Sequence, residues 1–236
     1  MSEDGKTSPW VWVGVGCALV VVIALVSAVS IGFYGYRKAK QFGEEMKDPQ
    51  AREAKAQKVL GCEKLPDGYH AVVAMSLPFV IDLAILSDKP PEADGQVRGL
   101  GARSFIYMKL LTAGKDRQEL KDYFEGKTDD AEVLRRHNIR VDSRETIRRG
   151  TMQVGDEHLL YLAQRGELNV QGGRAKGVSN LMLIECPGDK KQRMGIWFGP
   201  DPSPDTPAGE TDFSGTPADE SALRDFMSHF HICRAA

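Results

Sequence analysis

A chain of 236 residues with 31 Lys and Arg against 33 Asp and Glu has room for one or two domains and a formal net charge of −2. So even a balance supplies no field for nucleic acid, and no nucleic-acid partner is expected. The four cysteines exclude a full disulfide framework, because Cys17 falls in an apolar run and leaves Cys62, Cys186 and Cys233 as an odd set.

In chain order, residues 1–9 are a short polar tail, and residues 10–36 carry no charged side chain. At ~1.5 Å per residue such a run spans the ~30 Å of a bilayer's hydrocarbon, and a helix there satisfies its own backbone. Trp10 and Trp12 at one end, and Tyr34, Tyr36, Arg37 and Lys38 at the other, are the residue types of a membrane interface. The expectation is one retained transmembrane helix in contact with lipid. The acidic tail residues Glu3 and Asp4, and the length of the run, argue against a cleaved signal. Ala24, Ala28 and Gly32 fall on one helix face, a small-residue stripe suited to homodimer contact. Arg37, Lys38, Lys40 and Lys47 follow the span, so the positive-inside rule leans the attached domain toward the cytoplasm and leaves the extracytoplasmic side open.

Residues 37–60 read as a charged helical stalk. Asp48 is placed to cap a helix that starts at Pro49, where no N–H is wasted, and Gly61 ends it. The globular part is expected over 61–236. Residues 69–75 form an apolar strand after the Pro66-Asp67-Gly68 turn. In the next stretch Ile81, Leu83 and Ile85 alternate with Asp82, Ala84 and Leu86, the period of a strand. A third strand runs over 103–111. The period then changes: Leu120, Tyr123 and Phe124 share a helical face over 116–124. Asp129 stands three residues before Glu132 as a second helix start, with Val133 and Leu134 as its buried pair.

Strands return over 146–154 and 158–165, then at 178–186 and 192–198, with 172–177 as a glycine-rich connection. The proline-rich stretch 199–217 reads as an extended, mobile surface loop. Residues 218–230 form an amphipathic helix with Leu223, Phe226, Met227 and Phe230 on one stripe. Consecutive hairpins with segregated helices give an α+β fold: an N-terminal transmembrane helix followed by an antiparallel-sheet domain with helices packed on it.

The opening PDGY before an apolar strand and LPF, and the closing LMLIE, GIWF and final helix, resemble the PsbP-like α/β-sandwich group that includes bacterial DcrB-type membrane-associated proteins. The resemblance covers about 62–233 and rests on hydrophobic patterns. It implies a non-catalytic binding or assembly domain and transfers no catalytic residue, while the long proline loop departs from that group.

His229, His231 and Cys233 alternate on one side of an extended segment and are donors suited to zinc, though no fourth ligand is evident. An alternative use for the cysteines is a Cys62–Cys233 bridge, because these residues open and close the domain and domain termini often lie close together. It requires an oxidising compartment, against the cytoplasmic lean. Arg135, Arg136, Arg140, Arg144, Arg148 and Arg149 form a basic run able to meet an anion or acidic partner, or to guard a sheet edge. The glycines of 172–177 lack the Gly-Lys-Ser/Thr ending of a phosphate loop, and no Gly-x-Ser-x-Gly elbow occurs. No catalytic residue and no cofactor are assigned. The expected function is a membrane-tethered, non-catalytic binding or assembly domain with a protein partner; the alternative is a metal-dependent domain or enzyme built on the His229/His231/Cys233 corner.

Overall fold

The computed structural model describes residues 47–77, 81–91, 101–110, 114–130, 132–136, 141–170, 173–189 and 191–234. All belong to one compact unit, Glu45–Ala236. Its first element, helix α1 (Pro49–Leu60), begins as its sequence dictates. The Asp48 side chain accepts the Gln50 N–H, proline opens the first turn, and Gly61 stops the helix at φ 67°.

Seven antiparallel strands follow in two meanders: β1 (His70–Leu77), β2 (Ile81–Ser87) and β3 (Ser104–Leu110), then β4 (Val141–Val154), β5 (Glu157–Val170), β6 (Gly173–Glu185) and β7 (Gln192–Gly199). Between them lie α2 (Gly114–Phe124) and α3 (Glu132–Arg136); after them come a 3-10 turn at Ala208–Glu210 and α4 (Glu220–Ser228). The β7 strand returns to pair with β3, which joins the meanders into one sheet of order β1-β2-β3-β7-β6-β5-β4.

Alternation along the strands sends side chains to two separate cores. One face gathers Ala84, Leu86, Phe105, Tyr107, Leu159, Tyr161, Met182, Ile184 and Trp197 beneath α1 and α4. Within it Trp197 stacks on Phe226 with centroids 4.4 Å apart and donates its Nε1–H to the Tyr69 hydroxyl at 2.9 Å. The other face gathers Leu160, Leu162, Leu181, Leu183, Met194, Ile196 and Phe198 beneath Leu120, Tyr123 and Phe124 of α2 and Val133 and Leu134 of α3. The strands buried on both faces read as nearly continuous apolar runs for this reason.

Three sequence expectations change here. The single-pass membrane helix is corrected, because among the described residues no helix is long and apolar enough to cross a membrane. The longest, α1, has 12 residues and therefore ~18 Å of rise against the ~30 Å required. Residues 10–36 lie outside the described residues, and with them Trp10, Trp12, Tyr34, Tyr36, Arg37, Lys38 and the Ala24/Ala28/Gly32 stripe. The expected lipid contact, homodimer stripe and membrane sidedness are not carried further. The fold is a seven-stranded antiparallel sheet with short helices on both faces.

The second change concerns the stalk. The α1 helix is packed into the fold: Ala56 and Leu60 are fully buried, and the buried Arg52 donates Nε–H to the Ala71 carbonyl at 2.7 Å. Burying a leucine such as Leu60 contributes ~1.5–3 kcal/mol, which a solvated stalk would forgo. The third is the proline-rich stretch, which is not a free loop. Arg165 on β5 holds it, donating to the carbonyls of Thr206 and Ser203 and to the Thr211 hydroxyl, with its Nε 2.7 Å from Asp201 Oδ2.

Smaller differences have local causes. Asp130, not Asp129, accepts the Glu132 N–H at the start of α3, while Asp129 pairs with Arg149. Residues 173–177 are ladder rather than connection, extending β6 along β5. Gly177 is needed there, since a Cβ would come within 2.2 Å of the Gly199 carbonyl oxygen.

Candidate functional site

Two surfaces stand out: a charged cleft at one end of the sheet and an apolar shelf on one face. The cleft forms where the β4–β5 and β6–β7 turns meet the side of α2. It measures about 450 Å³ and is lined by Arg117, Gln153, Asp156, His158, Glu185 and the 186–189 turn. Glu185, the last residue of β6, is its hub. Lys121 donates to both carboxylate oxygens at 3.1 and 3.2 Å, Arg117 donates at 3.3 Å, and His158 Nδ1 lies 3.2 Å away. Burial alone would raise the Glu185 carboxyl; the bonds from Lys121 and His158 and the charges of Lys121 and Arg117 outweigh it and hold the group below its ordinary value.

An ionised carboxylate with its donors already in place acts as a clamp between α2 and the strands. The half-exposed His158 ring is oriented by Glu185 as a general base would be. The sulfur that lines the same cleft, in Cys186, is committed to a disulfide. Among the described lining residues no hydroxyl or thiol nucleophile completes a catalytic set. A smaller pocket of about 220 Å³ lies between α1 and the β1–β2 hairpin. Its carboxylate, Asp82, accepts from Ser76 Oγ at 2.5 Å and is ion-paired with Lys109.

The cysteines pair differently from the expected Cys62–Cys233 bridge. Cys233 is bonded to Cys186, with Cα atoms 5.3 Å apart, and Cys62 is a free thiol. The domain ends do meet, since the His231 N–H donates to the Leu60 carbonyl at 3.1 Å. Direction decides the partner. The Cys233 N–H donates to Glu157 Oε1 at 3.0 Å, which turns its side chain toward the end of β6, while the Cys62 N–H is held by Gln57 in the α1 cap. Burial pushes the Cys62 thiol up to about 11, so it is a packing group rather than a nucleophile.

With its sulfur in the disulfide, Cys233 is withdrawn from the proposed metal corner. His229 Nδ1 faces the Asp225 carbonyl at 3.0 Å, and His231 is exposed. Among the described residues no group of three or more His, Cys, Asp or Glu is gathered as a metal site requires. The basic run is dispersed as well. Arg135 pairs with Glu132, Arg136 with Glu119, Arg148 with Glu220 and Arg149 with Asp129. Arg140 lies outside the described residues, and Arg144 is placed by its backbone on β4, an edge strand. Charge and two register shifts along β4 are the devices that discourage edge pairing.

The apolar shelf is the second surface. The face covered by α2 over β5 and β6 continues across β3 to β1, and there the described helices stop. Strand registers put Val73, Met75 and Leu77 of β1 on this face beside Ile81, Leu83 and Ile85 of β2, with the buried Ile106 and then Met108 and Leu110 of β3 completing the rows. Of these nine Ile106 is buried, seven are partly exposed, and Leu77 is 42% exposed, the one exposed large hydrophobic among the described residues. Charged Asp82 and Lys109 point to the opposite face, so the shelf carries no charge at these positions.

No family model, no curated protein and no solved structure matches this chain. Sequence reasoning missed Glu185, Arg165 and the shelf. The first had a signal, a lone carboxylate closing the apolar run LMLIE. The shelf had only half of one: alternation at 81–86 separates two faces without showing which is left open.

Proposed function

We propose that this domain is a non-catalytic binding and assembly module that takes a protein partner on the apolar shelf of β1–β3. The observation that carries this reading is the uncharged, partly exposed face of three strands, beside a charged cleft whose groups satisfy one another. Leaving such a face to water forgoes a free energy of ~25 cal/mol for each Å² of apolar surface, and contiguous apolar patches larger than a few hundred Å² on folded proteins mark interaction sites. The PsbP-like/DcrB-type resemblance, read from hydrophobic patterns alone, points to the same class of role.

The test is a photoreactive phenylalanine analogue introduced at position 77 of the full chain in the cells that make it. Illumination is expected to join the shelf covalently to a protein, with no such adduct from the same probe at position 148 on the opposite sheet edge. A chain that gives no protein adduct at position 77 overturns the reading.

A further inference from the structure

A disulfide in a folded protein is either a permanent strut or a working redox couple, and the surroundings of its sulfurs distinguish the two. The cysteines of a working couple are partly exposed, stand beside cations and keep a resolving thiol close at hand. The Cys186–Cys233 bond has the opposite setting. Cys186 is 8% exposed, at the end of β6. The partly exposed Cys233 rests on acceptors: its N–H is held by the buried Glu157 carboxylate, and its sulfur lies 3.9 Å from the Glu185 carbonyl oxygen. The neighbouring Arg234 turns away to Asp156 at 2.7 Å. The spare thiol, Cys62, has its N–H fixed on the Gln57 carbonyl and is half-buried against the core, which suits packing and not exchange.

We propose that the Cys186–Cys233 bond is a permanent strut, installed by a disulfide donor, and that this domain therefore matures and works in an oxidising compartment. Thiol pools of a reducing cytosol keep such pairs open, and the bonds that persist there are transient, catalytic or redox-sensing. The place of the strut fits this role. The C-terminal segment crosses the ends of three elements on single hydrogen bonds: His231 N–H to Leu60 of α1, Cys233 N–H to Glu157 of β5, and Arg234 to Asp156 in the β4–β5 turn. One covalent bond to β6 secures that whole seam. The proposal stands apart from the reading of the shelf and survives if the shelf takes no partner.

The chemistry balances with a donor disulfide as the oxidant. One thiolate of the pair attacks the donor's S–S bond, which makes a mixed disulfide and releases the first donor thiol. The second thiolate attacks that mixed bond, closes Cys186–Cys233 and releases the second donor thiol. Two electrons pass from this chain to the donor, two protons leave the cysteines and two are taken up by the donor sulfurs. One S–S bond forms here and one breaks there. Exchange needs an accessible sulfur, so the more exposed Cys233 is the point of entry and the buried Cys186 completes the bond.

The test uses the full chain in the cells that make it. Cells are quenched in acid, free thiols are blocked under denaturing conditions, and linked peptides are mapped in each cell fraction. The expected result is a Cys186–Cys233 linkage in nearly all of the chain, recovered with markers of an oxidising compartment. Cys62 is blocked as a free thiol, and Cys62→Ala keeps the linkage. Free Cys186 and Cys233 throughout, or a linked chain that fractionates with cytosolic markers, overturns the proposal. Cys186→Ala is expected to accumulate a mixed disulfide on Cys233, whose added mass tells a glutathione-type donor from a protein one. Cys233→Ala, with both variants verified as folded by circular dichroism, accumulates several-fold less on Cys186. Equal adducts overturn entry at Cys233 alone, and the absence of any adduct overturns the donor.

Discussion

Removing the Cys186–Cys233 cross-link should cost this domain much of its stability without changing its folded shape. The bridge closes a loop with a sequence separation of 47 that contains β7, the proline-rich stretch and α4. In the chain-entropy account a loop of that length restricts the unfolded ensemble by about 4 kcal/mol. The folded side changes little, because the C-terminal segment keeps other ties. Ile232 is 1% exposed in the core, the His231 N–H stays on Leu60, and the Cys233 N–H stays on Glu157. A loss of that size is a large share of the ~5–15 kcal/mol that holds an ordinary domain together. The Cys186→Ala/Cys233→Ala double variant is compared with the parent in urea, by circular dichroism, with and without reductant. For a urea slope of ~2 kcal/mol per M, the midpoint should fall by about 2 M in the variant and in the reduced parent. Cys62→Ala should leave the response to reductant unchanged. Equal midpoints for oxidised and reduced parent, or a linked peptide mapped to Cys62 instead of Cys186, would refute the reasoning.

Two further outcomes follow from buried charge. Arg165→Met strands Asp201, whose side chain is 7% exposed, without its partner, and releases the carbonyls of Ser203 and Thr206. The expected cost is ~3–5 kcal/mol, with new protease cleavage inside 200–217 that the parent resists. Glu185 has a lowered folded value, so its contribution is complete above its unfolded value of ~4.3 and is lost as pH falls through the folded one. Glu185→Gln should therefore flatten the acid limb of the urea midpoint against pH below about pH 4, while an unchanged limb would show the clamp contributes nothing.

The parts of this fold that could be read ahead were those with local causes. Asp48, Pro49 and Gly61 bracket α1 within its own segment, and each hairpin is announced by its turn and its alternation. What could not be read depends on residues distant in the chain meeting. Arg165 is one residue in a charged, glycine-containing stretch until Asp201 and Thr211, 36 and 46 positions away, come around it. Likewise the choice of Cys186 over Cys62 depends on which way the last turn faces, a direction set by Glu157 and not by spacing. The buried role of α1 was masked by composition. Its apolar positions Ala56, Val59 and Leu60 are few among lysines, glutamines, an arginine and a glutamate, yet they are the ones that meet the sheet.

The burial of α1 also determines where this protein can be cut. A fragment beginning after Gly61 looks like a clean domain on paper, yet it would lose the lid over β1 and β2 and leave the Ala71 carbonyl and the His231 N–H without their mates. The natural seam lies ahead of Asp48, and the helix after it is the domain's opening wall rather than its handle.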